Sequence, residues 1–274
     1  LRVRVRFTRK REPPASEAFC VLFLEDVRNV QARSRQEKLA AMGRVSAGIA
    51  HEIRNPLAAI SQANALLAED ATDPAQRQLM RMVTENVERL KRIVNDVMEV
   101  APGQVQDVGA IDATRQLETI CGEWAQAAGV PVGATGLLRL ELPPEPFGIV
   151  FDAEHLRRVV VNLLDNARRH ASDQAGAILV RLAPSATDEG RAVFSVLSDG
   201  MPIAADVEAY LFEPFFSTRS RGAGLGLYIC RELCERYEAR IDYRLLPPEE
   251  QRRNDFFVDM RRALLPVDRP TLTT

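Results

Sequence analysis

A histidine stands beside a carboxylate in the segment HEIRNPL, residues 51–57. Glu52 can accept the imidazole proton and leave a ring nitrogen of His51 nucleophilic. Asn55 follows one helical turn later, where its amide can orient a water or a phosphoryl group. The segment therefore predicts nucleophilic chemistry on a helix, and the alternative is an ordinary exposed histidine.

Two amides fall on one helical face in the segment NLLDNARRH, residues 162–170. Asn162 and Asn166 are four residues apart and share one helical face, and one of the two amide oxygens could serve as the main protein ligand of Mg²⁺, which prefers oxygen ligands. Arg169 and His170 can reach a phosphate or a sugar. The pattern indicates a polar pocket beside a core, and the alternative is a solvated helix face.

Glycines cluster in the segment GAGLGL, residues 222–227, shortly after the segment FEPFFS at residues 212–217. They allow a polyanion to approach the backbone, and a helix that begins there directs its N–H groups at the ligand. The spacing is not G-x-G-x-x-G after a strand, which disfavours a dinucleotide fold. We expect Pro214, Phe215 and Phe216 to anchor a mobile segment to the core.

The elements before these motifs follow from hydrophobic periodicity. Residues 1–27 alternate and predict a β-hairpin, and from Arg28 onward the period becomes helical. Asp73 is predicted to cap a second helix that has Pro74 at its first position. The helices carry apolar seams with steps of three and four residues, comprising Leu39, Met42, Ser46, Ile49, Ile53, Pro56, Ile60, Ala63 and Leu67 in the first and Leu79, Val83, Asn86, Leu90, Ile93, Val97 and Val100 in the second. The apolar face of the second helix widens to include Val87 and Val94.

Two such helices cannot hide both apolar faces from water within one antiparallel hairpin. We therefore expect a dimer that forms a four-helix bundle. From residue 104 to residue 265 the pattern predicts an α/β sandwich, one sheet covered on one face by helices. The predicted helices are 112–128, 153–171 and 224–237, and the predicted strands are 137–142, 148–151, 177–183, 192–197, 240–246 and 256–261. Residues 266–274 are predicted to be a tail.

The composition of the 274 residues excludes several classes of protein. The 36 basic and 38 acidic residues give a net charge of −2, which argues against a nucleic-acid-binding protein. The last lysine is Lys91, so no later segment completes a G-x-x-x-x-G-K-[ST] phosphate loop. No apolar run reaches the roughly 18 residues of a membrane span, so we expect membrane attachment only through a segment upstream of Leu1. The cysteines, including Cys230 and Cys234 one turn apart, are predicted to face the core.

Taken together and in this order, the segments resemble the H, N, F and G2 boxes of sensor histidine kinases of two-component systems. The resemblance covers about residues 36–262, and the HEIRNPL form is similar to that of the nitrogen-regulation and type IV pilus sensor kinases. It implies an α+β multidomain chain. Residues 28–103 would form a signalling helix with a dimeric histidine-phosphotransfer hairpin, and residues 104–265 a Bergerat-type ATP-binding domain. Residues 1–27 resemble the last hairpin of a PAS sensor domain.

The resemblance also implies the function. His51 would accept the γ-phosphoryl group of ATP and pass it to an aspartate in the receiver domain of a response regulator. Glu52 would act as the base, Asn55 would assist dephosphorylation of the regulator, and Asn166 would hold Mg²⁺. We expect a homodimer without a nucleic-acid partner, its kinase region cytoplasmic and compatible with attachment to the inner membrane. The residues expected to contact the nucleotide are Asn162, Asn166, Arg169, His170, Asp199, Gly200, Phe215, Gly222, Gly224, Gly226 and Leu227.

One segment departs from the family pattern D-x-G-x-G, whose aspartate reads the adenine amino group. Residues 196–203 are VLSDGMPI, which places Ser198 at the aspartate position and Pro202 at the second glycine. A one-residue slip would let Asp199 supply the carboxylate instead. Two alternatives follow for the whole chain: a dimeric scaffold with a decayed nucleotide site, and a protein that acts chiefly as a phosphatase through Asn55.

Overall fold

A computed structural model describes residues 2–12, 15–25, 52–69, 71–99, 108–217 and 224–265. The chain divides into two compact units, Leu1–Pro102 and Gly103–Thr274, and each is described by itself. The finer domain ranges given above remain predictions. Some residues singled out in the sequence lie outside the described ones, namely Leu39, Met42, Ser46, Ile49, His51, Val100, Gly222 and the predicted tail 266–274.

The first unit contains a strand hairpin and a helix hairpin. Strands β1 (Arg2–Glu12) and β2 (Ala15–Glu25) pair antiparallel, in agreement with the alternating pattern. Helix α1 covers residues 52–69, and α2 covers Pro74–Glu99. The carboxylate of Asp73 accepts a hydrogen bond from the backbone N–H of Ala75 at 3.1 Å, which confirms the predicted cap of α2.

The contact between α1 and α2 has a polar centre. Leu57 and Val87 are buried in it. The side-chain Nδ2 of the buried Asn64 donates to the backbone carbonyl of Met80 at 2.9 Å and to the Thr84 hydroxyl at 2.8 Å. Because a buried amide is costly to leave unpaired, these bonds fix the register of the two helices.

The predicted seams lie on a different stripe of the same helices. The exposed fractions of the seam residues Ile53, Ile60, Leu67, Leu79, Val83 and Leu90 lie between 39% and 62%, and Ile93 is half-buried. The hairpin therefore closes through Leu57, Asn64 and Val87 and leaves the seam open to solvent. This is the arrangement that an additional pair of helices could cover.

The second unit follows the predicted order of elements, with small changes at their ends. Its elements are β3 (Ala110–Asp112), α3 (Ala113–Ala128), β4 (Leu138–Glu141), β5 (Gly148–Val150), α4 (Ala153–His170), β6 (Ile178–Pro184), β7 (Arg191–Ser198), α5 (Ala205–Glu208), α6 (Gly226–Glu235), β8 (Arg240–Leu245) and β9 (Asn254–Ala263). The three-residue β3 and the one-turn α5 were not predicted, because elements this short show no periodicity. Helix α6 is shorter than the predicted 224–237.

The strands form one sheet in the order β3-β5-β9-β7-β6-β4, with β8 paired to β9. Strands β4 and β6 pair in parallel, and the other pairs are antiparallel. Helix α4 packs on β7, and α6 packs on β8. The opposite face carries ion pairs at 2.7 Å, namely Arg181–Glu141, Arg191–Asp259 and Arg244–Asp255. This is the predicted sandwich, with one face of the sheet covered by helices.

Local signals fix the ends of the helices that carry the site. The Asp112 carboxylate accepts from the N–H of Arg115 at the start of α3, and the Asp152 carboxylate accepts from the N–H groups of Glu154 and His155 at the start of α4. Among the described residues, no helix is both long and apolar enough to cross a membrane.

Candidate functional site

Helix α4 turns its polar face toward the first residue of α6. The Oδ1 atom of Asn162 lies 3.4 Å from the position that a Cβ on Gly226 would occupy, so the glycine keeps this approach open. The Nδ2 atom of Asn162 is buried and has no oxygen or nitrogen acceptor among the described residues, and this side chain interacts with the Cys230 thiol on α6. Asn166 follows one turn later and is half-buried. A thiol is a weak acceptor, so this amide keeps hydrogen-bonding capacity for a ligand.

Asp165, between the two asparagines, joins α4 to α3. The indole Nε1 of Trp124 donates to its Oδ1 atom at 2.8 Å, and its Oδ2 atom lies 3.9 Å from the Arg169 guanidinium. Trp124 is 7% exposed, and the bond satisfies its N–H. Neither Trp124 nor Asp165 is among the residues predicted from the sequence, although a lone tryptophan in an amphipathic helix was an available signal.

The end of β7 meets the end of α4 at Gly200. A Cβ at this position would lie 2.6 Å from the carbonyl oxygen of His170, so only glycine fits without a shift. The Gly200 carbonyl accepts from the Nδ2 of Asn254 at 2.7 Å, and the Asn254 Oδ1 accepts from the Tyr243 hydroxyl at 2.9 Å. Side chains from β8 and β9 thus hold the segment that follows β7. His170 itself is exposed.

Asp199 has a partner in the loop after α4. Its carboxylate accepts from the backbone N–H of Ser172 at 2.9 Å and from the Ser172 hydroxyl at 2.5 Å. Ser198 is 5% exposed at the end of β7. Neighbouring side chains of an extended chain point to opposite sides, so Ser198 and Asp199 cannot both face the same way. The position at which the family carries its aspartate is therefore occupied by the Ser198 hydroxyl. A base contact through Asp199 would require its pair with Ser172 to open.

The chain makes a close backbone approach between Phe215 and Gly224. A Cβ on Gly224, whose φ is +68°, would lie 2.6 Å from the Phe215 carbonyl carbon and from the Phe216 carbonyl oxygen. Pro214 is buried, and Phe216 stacks on Tyr210 with 5.6 Å between the ring centroids. Phe215 has a φ of +61° and is 49% exposed. The expectation that Phe215 anchors in the core is therefore wrong, whereas Pro214 and Phe216 do pack.

Gly226 opens helix α6, and the half-buried Leu227 follows it. The preceding residue, Leu225, makes no side-chain hydrogen bond to the first turn. The first N–H groups of a helix have no partner within the helix and favour anions. The start of α6 therefore offers backbone donors beside Asn162.

The segment HEIRNPL is described from Glu52 onward. Glu52 and Asn55 are exposed on α1. The Arg54 guanidinium donates to the Oδ1 of Asn95 on α2 at 2.8 Å, which ties the helices together at this level. Both side chains predicted to assist His51 are thus accessible to a reacting group.

Three cysteines lie in the core of the second unit, in agreement with the prediction. Cys121, Cys230 and Cys234 are free thiols and fully buried. Burial raises the pKa of Cys121 and that of Cys230 to about 12, because the thiolate loses its hydration. These thiols are neutral at ordinary pH and serve packing.

Two protein-family models match the chain. The His Kinase A (phospho-acceptor) domain matches residues 41–104. The family of histidine kinase-, DNA gyrase B- and HSP90-like ATPases matches residues 151–263. The matched ranges include the helical hairpin and most of the α/β sandwich, in the order in which the motifs occur.

Curated relatives support the same assignment. The sensor protein kinase PilS of Pseudomonas aeruginosa is 36% identical over 226 residues, which cover 82% of this chain and 42% of PilS. The sensor histidine kinase ZraS of Salmonella typhimurium is 32% identical over 216 residues, which cover 77% of this chain and 44% of ZraS. The chain thus spans less than half the length of either relative.

A solved structure shares the fold. The crystal structure of full-length ShkA in complex with AMPPNP is 24% identical, with a TM-score of 0.61, and the match covers 81% of this chain and 47% of ShkA. The order of the motifs, the two matched family models and the curated relatives show that the chain belongs to the sensor histidine kinases of two-component systems.

Proposed function

We propose that the chain phosphorylates itself on His51 with ATP and passes the phosphoryl group to an aspartate of a response regulator. The observation that supports this most is the polar face of α4 against the start of α6. There the Nδ2 atom of Asn162 is buried with no oxygen or nitrogen acceptor in the described part of the chain, and a glycine leaves room beside it. Phosphoryl transfer needs positioning and charge neutralisation more than covalent help from the protein, and this face suits that task.

The donor set on α4 fits a nucleotide with Mg²⁺. The amide oxygen of Asn166 would hold the ion, with Asn162 in support. Bound Mg²⁺ would neutralise charge on the phosphates. The backbone N–H groups at Gly226 and Leu227, with Arg169, would bind the phosphates. The similar ShkA structure contains AMPPNP, which supports a nucleotide in this fold.

The open seam supports a homodimer. Its exposed apolar residues include Ile60, Leu67, Leu79 and Leu90, and a second copy of the hairpin would cover them in a four-helix bundle. We expect the regulator's receiver domain to bind near Asn55. The kinase region would lie in the cytoplasm.

Autophosphorylation of the unchanged chain and of His51→Gln tests the proposal. We expect label from γ-³²P-ATP that is lost in acid, retained in alkali and absent from the variant. Asn166→Ala should abolish labelling while leaving His51 in place. Equal labelling of His51→Gln and the unchanged chain would overturn the assignment of the phosphoacceptor.

Two observations bear on the alternative functions, a scaffold with a decayed nucleotide site and a phosphatase. The engagement of Asp199 by Ser172 favours a scaffold with a decayed nucleotide site, which calorimetry would reveal as no binding of ATP with Mg²⁺ present. The exposure of Asn55 favours phosphatase activity on the regulator. Loss of regulator dephosphorylation in Asn55→Ala, with retention in His51→Gln, would support that activity.

A further inference from the structure

We infer that Trp124 and Asp165 are positioning residues that hold the Arg169 guanidinium at the nucleotide-binding face of α4. The inference rests on the proposed function, because Arg169 matters in this way only if the face binds a nucleotide. It adds to the motif residues a tryptophan from another helix, 41 residues earlier in the chain.

The order of residues around α4 places Arg169 between two groups. With about 100° between successive residues, Asp165 lies on one side of Arg169, and Asn162 and Asn166 lie on the other. The Asp165 Oδ2 atom is 3.9 Å from the guanidinium. Asp165 can therefore restrain Arg169 without occupying the position of either asparagine.

Asp165 is itself held by a rigid partner. Trp124 is 7% exposed on α3, and its indole donates to the Asp165 Oδ1 atom at 2.8 Å. A buried indole needs an acceptor, so the Asp165 carboxylate keeps one oxygen toward α3 and the other toward Arg169. Both Asp165 and Arg169 are about half-exposed, and an unsupported pair of that kind would restrain a long side chain weakly. The fixed indole limits the orientations of the carboxylate.

The competing explanation is ordinary packing between α3 and α4. A second contact between these helices provides the control. Glu123 of α3 forms an ion pair with Arg157 of α4, on a side of α4 away from Asn162 and Asn166. If the Trp124 hydrogen bond only joins the helices, loss of either contact should have the same effect on nucleotide binding. If the bond positions Arg169, only its loss should weaken nucleotide binding.

The test is a double-mutant cycle on autophosphorylation by the full chain. We expect Trp124→Phe to raise the KM for Mg-ATP by about threefold to tenfold, with a smaller effect on kcat, since about 1 kcal/mol attaches to one hydrogen bond. Arg169→Ala should raise the KM as well, and Trp124→Phe added to it should raise the KM no further. Glu123→Gln should leave the KM unchanged.

Asp165→Asn separates the two contacts of the carboxylate. The amide oxygen still accepts from the indole, so the tryptophan fluorescence should be retained, whereas the KM should rise as in Arg169→Ala. Additive KM effects of Trp124→Phe and Arg169→Ala, or an unchanged KM in Asp165→Asn, would overturn the inference alone. Absence of ATP binding to the unchanged chain would overturn the proposed function and this inference with it.

Discussion

The carboxylate of Asp199 binds Ser172 twice, through the backbone N–H at 2.9 Å and the hydroxyl at 2.5 Å. This pairing fastens the end of β7 to the loop after α4. It also leaves the buried hydroxyl of Ser198 as the polar side chain at the position where relatives of this family carry an aspartate. A hydroxyl both donates and accepts, whereas a carboxylate only accepts.

Restoring the carboxylate should sharpen the recognition of adenine. We expect Ser198→Asp to bind ATP about tenfold more tightly and to prefer ATP over GTP, because an acceptor suits the adenine amino group and repels the guanine carbonyl. Without nucleotide the variant should melt at a lower temperature, since a carboxylate at this 5% exposed position would be desolvated. Calorimetric titration with both nucleotides measures the preference, and equal affinities in the variant would contradict this account.

We expect any side chain at position 200 to disrupt the packing between the end of β7 and the end of α4. Gly200→Ala brings a Cβ to within 2.6 Å of the His170 carbonyl oxygen, so we expect a loss of about 1–3 kcal/mol in the free energy of unfolding and weaker nucleotide binding. Gly122 in α3 is the matched control because a Cβ there meets nothing within 4 Å. Gly122→Ala should stabilise the protein by about 0.5–1 kcal/mol. Urea unfolding of both variants checks the opposite signs.

The buried thiols should make the second unit less stable in alkali. The pKa of Cys121 and that of Cys230 are about 12 in the folded chain, above the ordinary thiol value of 9.0. The unfolded chain therefore releases these protons first, and stability is complete below about pH 9 and falls as the pH rises toward 12. Each thiol contributes a slope of up to about 1.4 kcal/mol per pH unit.

Urea unfolding of the unchanged chain and of Cys121→Ala, at about pH 8 and about pH 10, measures this slope. The variant should lose less stability between the two pH values because one titrating thiol is gone. Identical losses in the two proteins would show that Cys121 titrates normally.

The open seam should mediate dimerisation. We expect Ile60→Glu to weaken the dimer at least about tenfold, because a charge would be buried in the bundle at a position 47% exposed in one hairpin. Gln62→Glu adds the same charge at an exposed position outside the seam and should leave the dimer intact. Light scattering after size-exclusion chromatography gives the masses, and a dimeric Ile60→Glu variant would refute the assignment of this face.

The long elements were predictable because their signals are local. The periodicity of α4 and the cap formed by Asp73 and Pro74 lie within one segment of sequence, and both agree with the structure. The described seam residues form the predicted apolar stripe. The stripe that closes the hairpin was predicted only in part, because Val87 belongs to the predicted wide face of α2, whereas the polarity of Asn64 hides its burial from a hydrophobic pattern.

The motif residues of the candidate site were predictable from the sequence, but the residues that hold them in place were not. Asn162 and Gly224 were identified because residue type and spacing restrict what they can do, and Gly200 was identified through the resemblance of its segment to the family pattern. The residues that position them come from distant segments: Trp124 meets Asp165 across 41 residues, and Asn254 meets Gly200 across 54. Such pairings depend on how strands and helices are arranged, which one sequence does not show.

The amide of Asn64 also restricts how the helical hairpin can move. A slide of α1 along α2 by one turn would separate this side chain from the Met80 carbonyl and the Thr84 hydroxyl and strand it in an apolar contact. The cost of about 1–3 kcal/mol disfavours piston-like motion within the hairpin. A conformational signal that enters this hairpin is therefore transmitted most readily when the two helices tilt or rotate together as a rigid pair.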